Sequence, residues 1–474
     1  MSNPPVPSHE PDPEEPHGEP DLEQMLQSFL SNPDNPQLQQ ALSAMGIDKL
    51  DPATMGMLTA QVKAMFSGGS SDPFDPAMAT TIARQTVSAA GDATVGEVAR
   101  RQVEEAVSVA ELWLDPVTDF AATSTVARAW SRAEWVEQTM PVWQRLVEPV
   151  AAGVSNAIVQ AMRSQLGEAG GTVPGLPPGM DPAAMLGQME PMLTRMSSSM
   201  FSAQAGQAIG ALAGDLLTGT EVGLPLVPGQ AITLLPANIA AFAGGLEVEE
   251  SEVRIYLAVR EAARVRLFAE VPWLASQLVE AVQAYARDIS FDMAGIEEAM
   301  QQIDPSDPEA MQEALGSRLF SPEPSAAQQA ALTRLETYLA LVEGWVDVVT
   351  EQATRAHLPH AAALVESVRR RRASGGPAER LFSQLVGLEL RPRRLRDAAN
   401  LWAALEASGG ASARDGAWAH PDVAPTAADL DDPLGFVERS RSHGQGDDMD
   451  AALEAMLREG GTSGPAAGPA GEDR

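Results

Sequence analysis

Apolar residues recur along this chain at the spacing of helices rather than of strands. In DLEQMLQSFL, Leu22, Met25, Leu26, Phe29 and Leu30 fall at i, i+3, i+4, i+7 and i+8 behind Asp21 as N-cap, one face of a helix. Asn-Pro and Asp-Pro turns then predict short helices up to about residue 67. A second helical block follows SGGSSDPFDP and contains RAEWVEQTMPVWQRLVEPVAAGVSNAIVQAMRSQLG, where Trp135, Trp143 and Val147 sit near helical spacing and are expected in the core. GEAGGTVPGLPPGMDP (167–182) resists helix continuation and predicts an internal linker. Beyond it Gly206, Gly210 and Gly214 make a four-residue stripe that lets another helix approach closely, while neither GxGxxG nor GxxxxGK[ST] is present. Strand signals are sparse: EVGLPL and QAITLLP are expected to pair into a small sheet.

The expected fold is therefore mainly α, a multi-helix body with at most a small β element. Its organisation is expected as a disordered acidic, Pro-rich tail (1–21), an amino-terminal helical region (22–166), the linker (167–182), a helical core (183–440) and a mostly disordered tail (441–474) with one short amphipathic stretch, MDAALEAMLRE. The segments FSAQAGQAIGALAGDLL and AITLLPANIAAFAGGL are either interrupted by polar residues or shorter than the roughly 20 residues a bilayer needs, so they are expected as buried helices and no membrane span is expected. The first twenty residues carry neither a basic nor an apolar signal region, which predicts a cytoplasmic location.

Composition narrows the chemistry. The 474 residues hold 32 Lys+Arg against 65 Asp+Glu, a formal charge of -33, which disfavours attraction to nucleic acid. There is no cysteine, so thiolate metal sites and cysteine nucleophiles are excluded. No GxSxG appears. The run SVRRRRASGGPAERLFSQLVGLELRPRRLRD is locally basic, with Arg369 to Arg372, Arg380, Arg391, Arg393, Arg394 and Arg396. No aromatic residues interleave with these arginines, so an exposed helix end paired with the protein's own carboxylates is expected over a nucleic-acid contact.

The sharpest motif is REAARVRLFAEVPWL (260–274). A zincin helix grips Zn²⁺ with two histidines at i and i+4, and the glutamate after the first acts as base toward the metal-bound water. The matching positions here are Arg260, Glu261 and Arg264, so both imidazoles are absent. Val253, Leu257, Phe268 and Val271 continue the face of Arg260 and Arg264, which turns the two arginines inward. Downstream, LVEGWVDVV sets Glu343 and Asp347 four residues apart on a second helix. Six histidines exist: His9, His17 and His443 lie in the tails, Pro359 breaks helical geometry between His357 and His360, and His420 in WAHPD is expected to cap or pack a turn.

The chain resembles the zincin-like metallopeptidase family of actinobacteria, zinc-dependent metalloproteases or hydrolases of unknown substrate. The blocks that carry the resemblance are RAEWVEQTMPVWQRLVEPVA, QAGQAIGALAGDLLTGTEVGLPL, LLPANIAAFAGGL, REAARVRLFAEVPWL, LVEGWVDVV, GGPAERLFSQLVGLELRPRRLRDAANLW and RDGAWAHPDVAPTAADLDDPLGF, in one order over most of the chain. The resemblance implies a zincin-like core, zinc as the family's cofactor, Glu261 at the general-base position, Glu343 as third metal ligand and Asp347 as its partner. Histidine is expected at position 264 in relatives, and in some at position 260. This sequence departs at both, so Glu343 and Asp347 form a degenerate metal site, no cofactor is expected, and Arg260 and Arg264 are expected to replace the ion's charge. The expected function is an inactive pseudoenzyme that binds an unknown protein or peptide; the alternative is an active zinc-dependent hydrolase with unconventional ligands.

Overall fold

The computed structural model describes residues 72–122, 126–168, 182–289, 325–373 and 394–442. The chain divides into two units, Met1–Ser71 and Asp72–Arg474, and every described residue belongs to the second. The expected helices of 22–67, the acidic tail 1–21, most of the 167–182 linker and the tail from 443 onward lie outside the described residues, as do Arg380, Arg391 and Arg393.

The elements run α1 (Pro76–Ala89), α2 (Glu97–Leu114), β1 (Arg128–Ala129), α3 (Arg132–Glu168), α4 (Pro182–Asp215), β2 (Thr233–Leu234), α5 (Pro236–Ala243), α6 (Glu250–Glu270), α7 (Pro272–Arg287), α8 (Ala326–Arg355), α9 (Ala361–Ala373), α10 (Arg394–Gly416) and α11 (Ala427–Asp431). A further helix spans 433–442. The fold is mainly α, as the periodicity predicts.

Local chemistry fixes the helix ends. Asp75 caps α1, accepting from Ala77 N at 2.9 Å and Met78 N at 3.0 Å, with Pro76 in the first turn where its missing N–H costs nothing. Ser325 and Gln328 form a capping box that starts α8. Pro272 ends α6 and opens α7.

One hydrophobic core collects residues from Phe74 to Val437. Trp135 and Trp143 lie within it, their rings 6.4 Å apart and edge-on. The Trp135 indole donates to the Gly219 carbonyl at 3.0 Å, tying α3 to the loop that floors the site. The glycine stripe is a helix-packing device. A Cβ at Gly206 would stand 2.6 Å from the Ala79 carbonyl oxygen, and one at Gly210 would stand 2.7 Å from that of Ala83, so α1 lies almost backbone to backbone on α4.

The small sheet differs from the expected pairing. EVGLPL is not a strand; β2 pairs in parallel with the remote β1, Arg128 opposite Thr233 and Ala129 opposite Leu234, and Thr218 bridges Leu234 in the antiparallel sense. Gly223 takes a φ of +82°, and Pro225 has no N–H to donate, so this segment turns instead of extending. Among the described residues no helix is long and apolar enough to cross a membrane.

The α1–α4 contact generates the first prediction. Gly210→Val places two methyl groups where the Ala83 carbonyl now sits, and is expected to cost about 1–3 kcal/mol by overpacking, read as a lower denaturant midpoint with an unchanged slope. Gly214, around which nothing lies within 4 Å of a built Cβ, should tolerate Ala with little change.

Candidate functional site

Helix α6 is buried on every side through its middle, from Tyr256 to Leu267. Such a helix crosses the interior, so its charged residues must find partners there. Arg260, Glu261 and Arg264 occupy one stretch of it, with side chains 4%, 0% and 1% exposed. Helix α8 faces them. Its Glu343 and Asp347, one turn apart, point to the same side, with Asp347 nearer the rim.

The structure brings all five of these residues into one ion network. Glu343 Oε1 accepts from Arg264 Nε at 3.1 Å, and its Oε2 accepts from Arg260 Nη2 at 3.1 Å. Asp347 Oδ1 accepts from Arg260 Nη1. Glu261 is held by three donors: Thr220 N at 2.9 Å, Thr220 Oγ1 at 2.9 Å and Arg264 Nη1 at 2.8 Å. Arg264 thus bridges the two buried glutamates, and Arg260 bridges Glu343 to Asp347.

Two more cations arrive from α9. Arg372 Nη1 stands 2.8 Å from Glu343 Oε2, and Arg369 Nε donates to Asp347 Oδ2 at 3.2 Å. The run Arg369 to Arg372 does pair with the protein's own carboxylates: Arg370 with Glu366 and Arg371 with Glu221 complete the set. It is not an exposed helix end throughout, because Arg371 and Arg372 are only 23% and 15% exposed. Sequence periodicity could not place them, since α9 packs back over α8 only through tertiary contacts. Arg394, further along, pairs with Asp431.

The charges set one another's protonation. Burial pushes the Glu343 carboxyl up, but the guanidiniums of Arg264, Arg372 and Arg260 outweigh it and hold the group below the usual carboxylate range. For Asp347, burial again opposes and Arg260 prevails, so its carboxyl is also held low. Burial dominates at Glu261 and raises it, with Arg264 only partly offsetting the cost. For Arg260, Asp347, Tyr256 and Glu343 overcome burial and strengthen its hold on the proton.

Zinc does not fit this donor set. Every oxygen of Glu343, Asp347 and Glu261 already accepts from a guanidinium or from Thr220, and Arg260 and Arg264 bring positive charge to the place an ion would occupy. The described histidines are engaged elsewhere. His357 stacks on Trp113 with centroids 4.5 Å apart, His360 Nδ1 lies 3.1 Å from Glu252, and His420 Nδ1 accepts from Asp422 N at 3.2 Å within its turn. Among the described residues no group of three or more His, Asp or Glu is arranged to hold a metal ion.

A second buried network, unmarked in the sequence, braces the first. Arg266 on α6 pairs with Glu111 and Asp115 at the end of α2 and donates to the Phe120 carbonyl at 3.1 Å. Asp415 on α10 accepts from Trp345 Nε1 at 2.8 Å, Thr118 Oγ1 at 2.7 Å and Arg414 Nε at 2.7 Å. Trp345 is two residues from Glu343, so this network fixes the α8 segment that carries the site.

Two stability measurements follow from the ion network. Arg264→Ala takes the cation away from buried Glu261 and one of three from Glu343, and is expected to cost about 3–5 kcal/mol, as when one partner of a buried pair is removed. Acid should weaken the wild type. Glu343 and Asp347 are depressed in the folded chain, so the unfolded chain binds more protons through and below the usual carboxylate range, and the stability they contribute is lost as pH falls there. Glu261, being raised, contributes with the opposite sign at higher pH. Thermal melts against pH should show the acid loss, with a shallower slope in Asp347→Asn.

The site can be set beside known proteins. A family model described as zincin-like metallopeptidase matches residues 74–437. Among curated proteins none matches the sequence. A solved structure from Chloroflexus aurantiacus, described as a suggested hydrolase with a novel fold, is 16% identical with a TM-score of 0.52, over 77% of this chain and 98% of that one. At that identity the likeness is one of fold. The family match spans the body from just before α1 into the last described helix, and with it this chain belongs to the zincin-like metallopeptidase family.

Proposed function

We propose that this chain is a catalytically silent member of its family, a cytoplasmic pseudoenzyme that serves as a protein- or peptide-binding module. One observation carries the reading: the two positions at which the family's helix would present imidazoles to zinc are Arg260 and Arg264, and both guanidiniums are committed to the carboxylates that would otherwise serve the metal. Two guanidiniums bring the charge of one divalent ion to the same place, so the cluster of acids stays ionised without a metal.

The proposed loss of catalysis also follows from Glu261. A general base needs an oxygen within reach of a water molecule. Glu261 is fully buried and both its oxygens accept from Thr220 or Arg264. In that arrangement the carboxylate holds the loop at Thr220 against α6, a structural task that needs no proton transfer.

Metal content tests the reading directly. Protein purified without chelators is expected to contain well under one zinc per chain by elemental mass spectrometry, and its melting temperature should be the same with and without EDTA. Stoichiometric zinc would overturn the proposal and restore an active hydrolase with unconventional ligands.

A further inference from the structure

The last turn of α9 is held to the body by charge. The helix itself is anchored by apolar residues, Ala361, Leu364, Val365 and Val368, all buried. After these the chain carries four arginines in a row, and three of them reach inward. Arg369 lies 3.2 Å from Asp347 and 3.6 Å from Glu351. Arg371 lies 3.4 Å from Glu221 and donates to the Asp215 carbonyl. Arg372 uses its two terminal nitrogens on separate acceptors: Nη1 stands 2.8 Å from the Glu343 carboxylate, and Nη2 donates to the Glu221 carbonyl at 3.1 Å.

Glu343 gathers guanidiniums from two helices. Glu261, Glu343 and Asp347 sit in a mostly dry place with Arg260 and Arg264 of α6 between them. Two more cations come from α9: Arg369, 47% exposed, lies against Asp347, and Arg372, only 15% exposed, lies against Glu343. The α6 arginines belong to the floor of the site, whereas Arg372 comes from the end of a separate helix. Its fit is also imperfect, since among the described residues its buried Nε meets no acceptor, which carries the cost of an unmade hydrogen bond. One terminal nitrogen is ion-paired with a carboxylate and the other donates to a carbonyl, a division between two nitrogens that a guanidinium offers and a lysine ammonium does not.

We propose that Glu343 and the Glu221 carbonyl form a guanidinium-binding pocket, filled in cis by Arg372, and that its external ligand is an arginine-bearing peptide that displaces the last turn of α9. This rests on the binding-module reading and gives that module's partner a chemistry: a cationic segment with an exposed arginine, suited to a body of strongly acidic composition. Displacement leaves the α9 anchor in place, because Leu364 and Val368 are buried in the hydrophobic core ahead of the arginines.

Chemical rescue tests the pocket. Arg372→Ala should melt at least about 2 °C below the wild type, a detectable fraction of the stability of a body this size. Ethylguanidinium at millimolar concentration, far below denaturing levels, should restore that loss, while ethylammonium should not. Arg370→Ala is the control, since Arg370 is exposed and, among the described residues, pairs with Glu366 on its own helix; it should neither lose stability nor respond. The same ethylguanidinium response in both variants, or none in Arg372→Ala, overturns the proposal.

Hydrogen exchange on the wild type provides an independent reading should Arg372→Ala fail to fold. A short arginine-containing peptide should speed exchange at residues 369–373 without affecting 361–368, and its lysine counterpart should not. Equal effects of the two peptides, or none, reject the pocket. Zinc analysis of the same wild-type sample keeps the two proposals apart: bound zinc sinks the pseudoenzyme, whereas failed rescue and exchange in zinc-free protein sink only the guanidinium pocket.

Discussion

The Glu343 carboxylate is the constraint on which the interior depends. It is buried on the middle of α8, a place where an unpaired charge would cost several kcal/mol, and it is matched by Arg260 and Arg264 from α6 and Arg372 from α9. Three helices are therefore registered on two oxygen atoms. Close packing behind the charge holds that register: a Cβ at Gly344 would stand 2.6 Å from the Ala399 nitrogen of α10, so α8 cannot rotate away from α6 without colliding with α10. The Trp345 bond to Asp415 secures the same turn from the other side.

Buried ion pairs of this kind seldom add net stability over apolar residues of equal volume, but they penalise every arrangement that separates them. That asymmetry explains the bracing network around Arg266, Arg414 and Asp415. Arg266 ties α6 to α2, and Arg414 and Asp415 tie α10 to the segment at Val117 to Asp119. With both ends of the contact fixed, the site's guanidiniums need not search for their carboxylates, and the ordering cost is spread over the whole body.

The part of the site that could be read in the sequence is the part that depends on position along a single helix. Arg260 and Arg264 lie on one face with Val253 and Leu257, and Glu343 and Asp347 lie one turn apart; four-residue spacing alone establishes both facts. Gly206 and Gly210 were equally legible as a close helix contact, because a missing Cβ lets a neighbouring backbone approach; Gly214, with nothing within 4 Å, takes no part in it. What escaped were relations between elements. Thr220 holds Glu261 from 41 positions away, and Arg372 reaches Glu343 only because α9 folds back along α8. The sheet was misread for a similar reason: β1 is two residues long, too short to carry an alternating pattern, and the extended-looking EVGLPL contains a turn glycine and a proline.

A hydrolytic site and a stable core make opposite demands on the same carboxylates. Catalysis requires a group with an unsatisfied lone pair, a shifted pKa and access to water; folding requires that buried acids be fully paired. In the family's metal-bound arrangement the ion reconciles the two, since it supplies positive charge while keeping a position open for water. A guanidinium supplies the charge and closes the position, because its hydrogens point at the oxygens and it can neither bind nor polarise a water molecule as a Lewis acid. Exchanging two imidazoles and an ion for Arg260 and Arg264 would then preserve the electrostatics that hold α6 to α8 and give up the chemistry. On the reading proposed above, the chain keeps the family fold over residues 74–437 while its acids serve packing instead of reaction. The arginines are the condition for keeping Glu261 and Glu343 in the interior: without them or a metal, three buried carboxylates would face one another with no opposite charge between them.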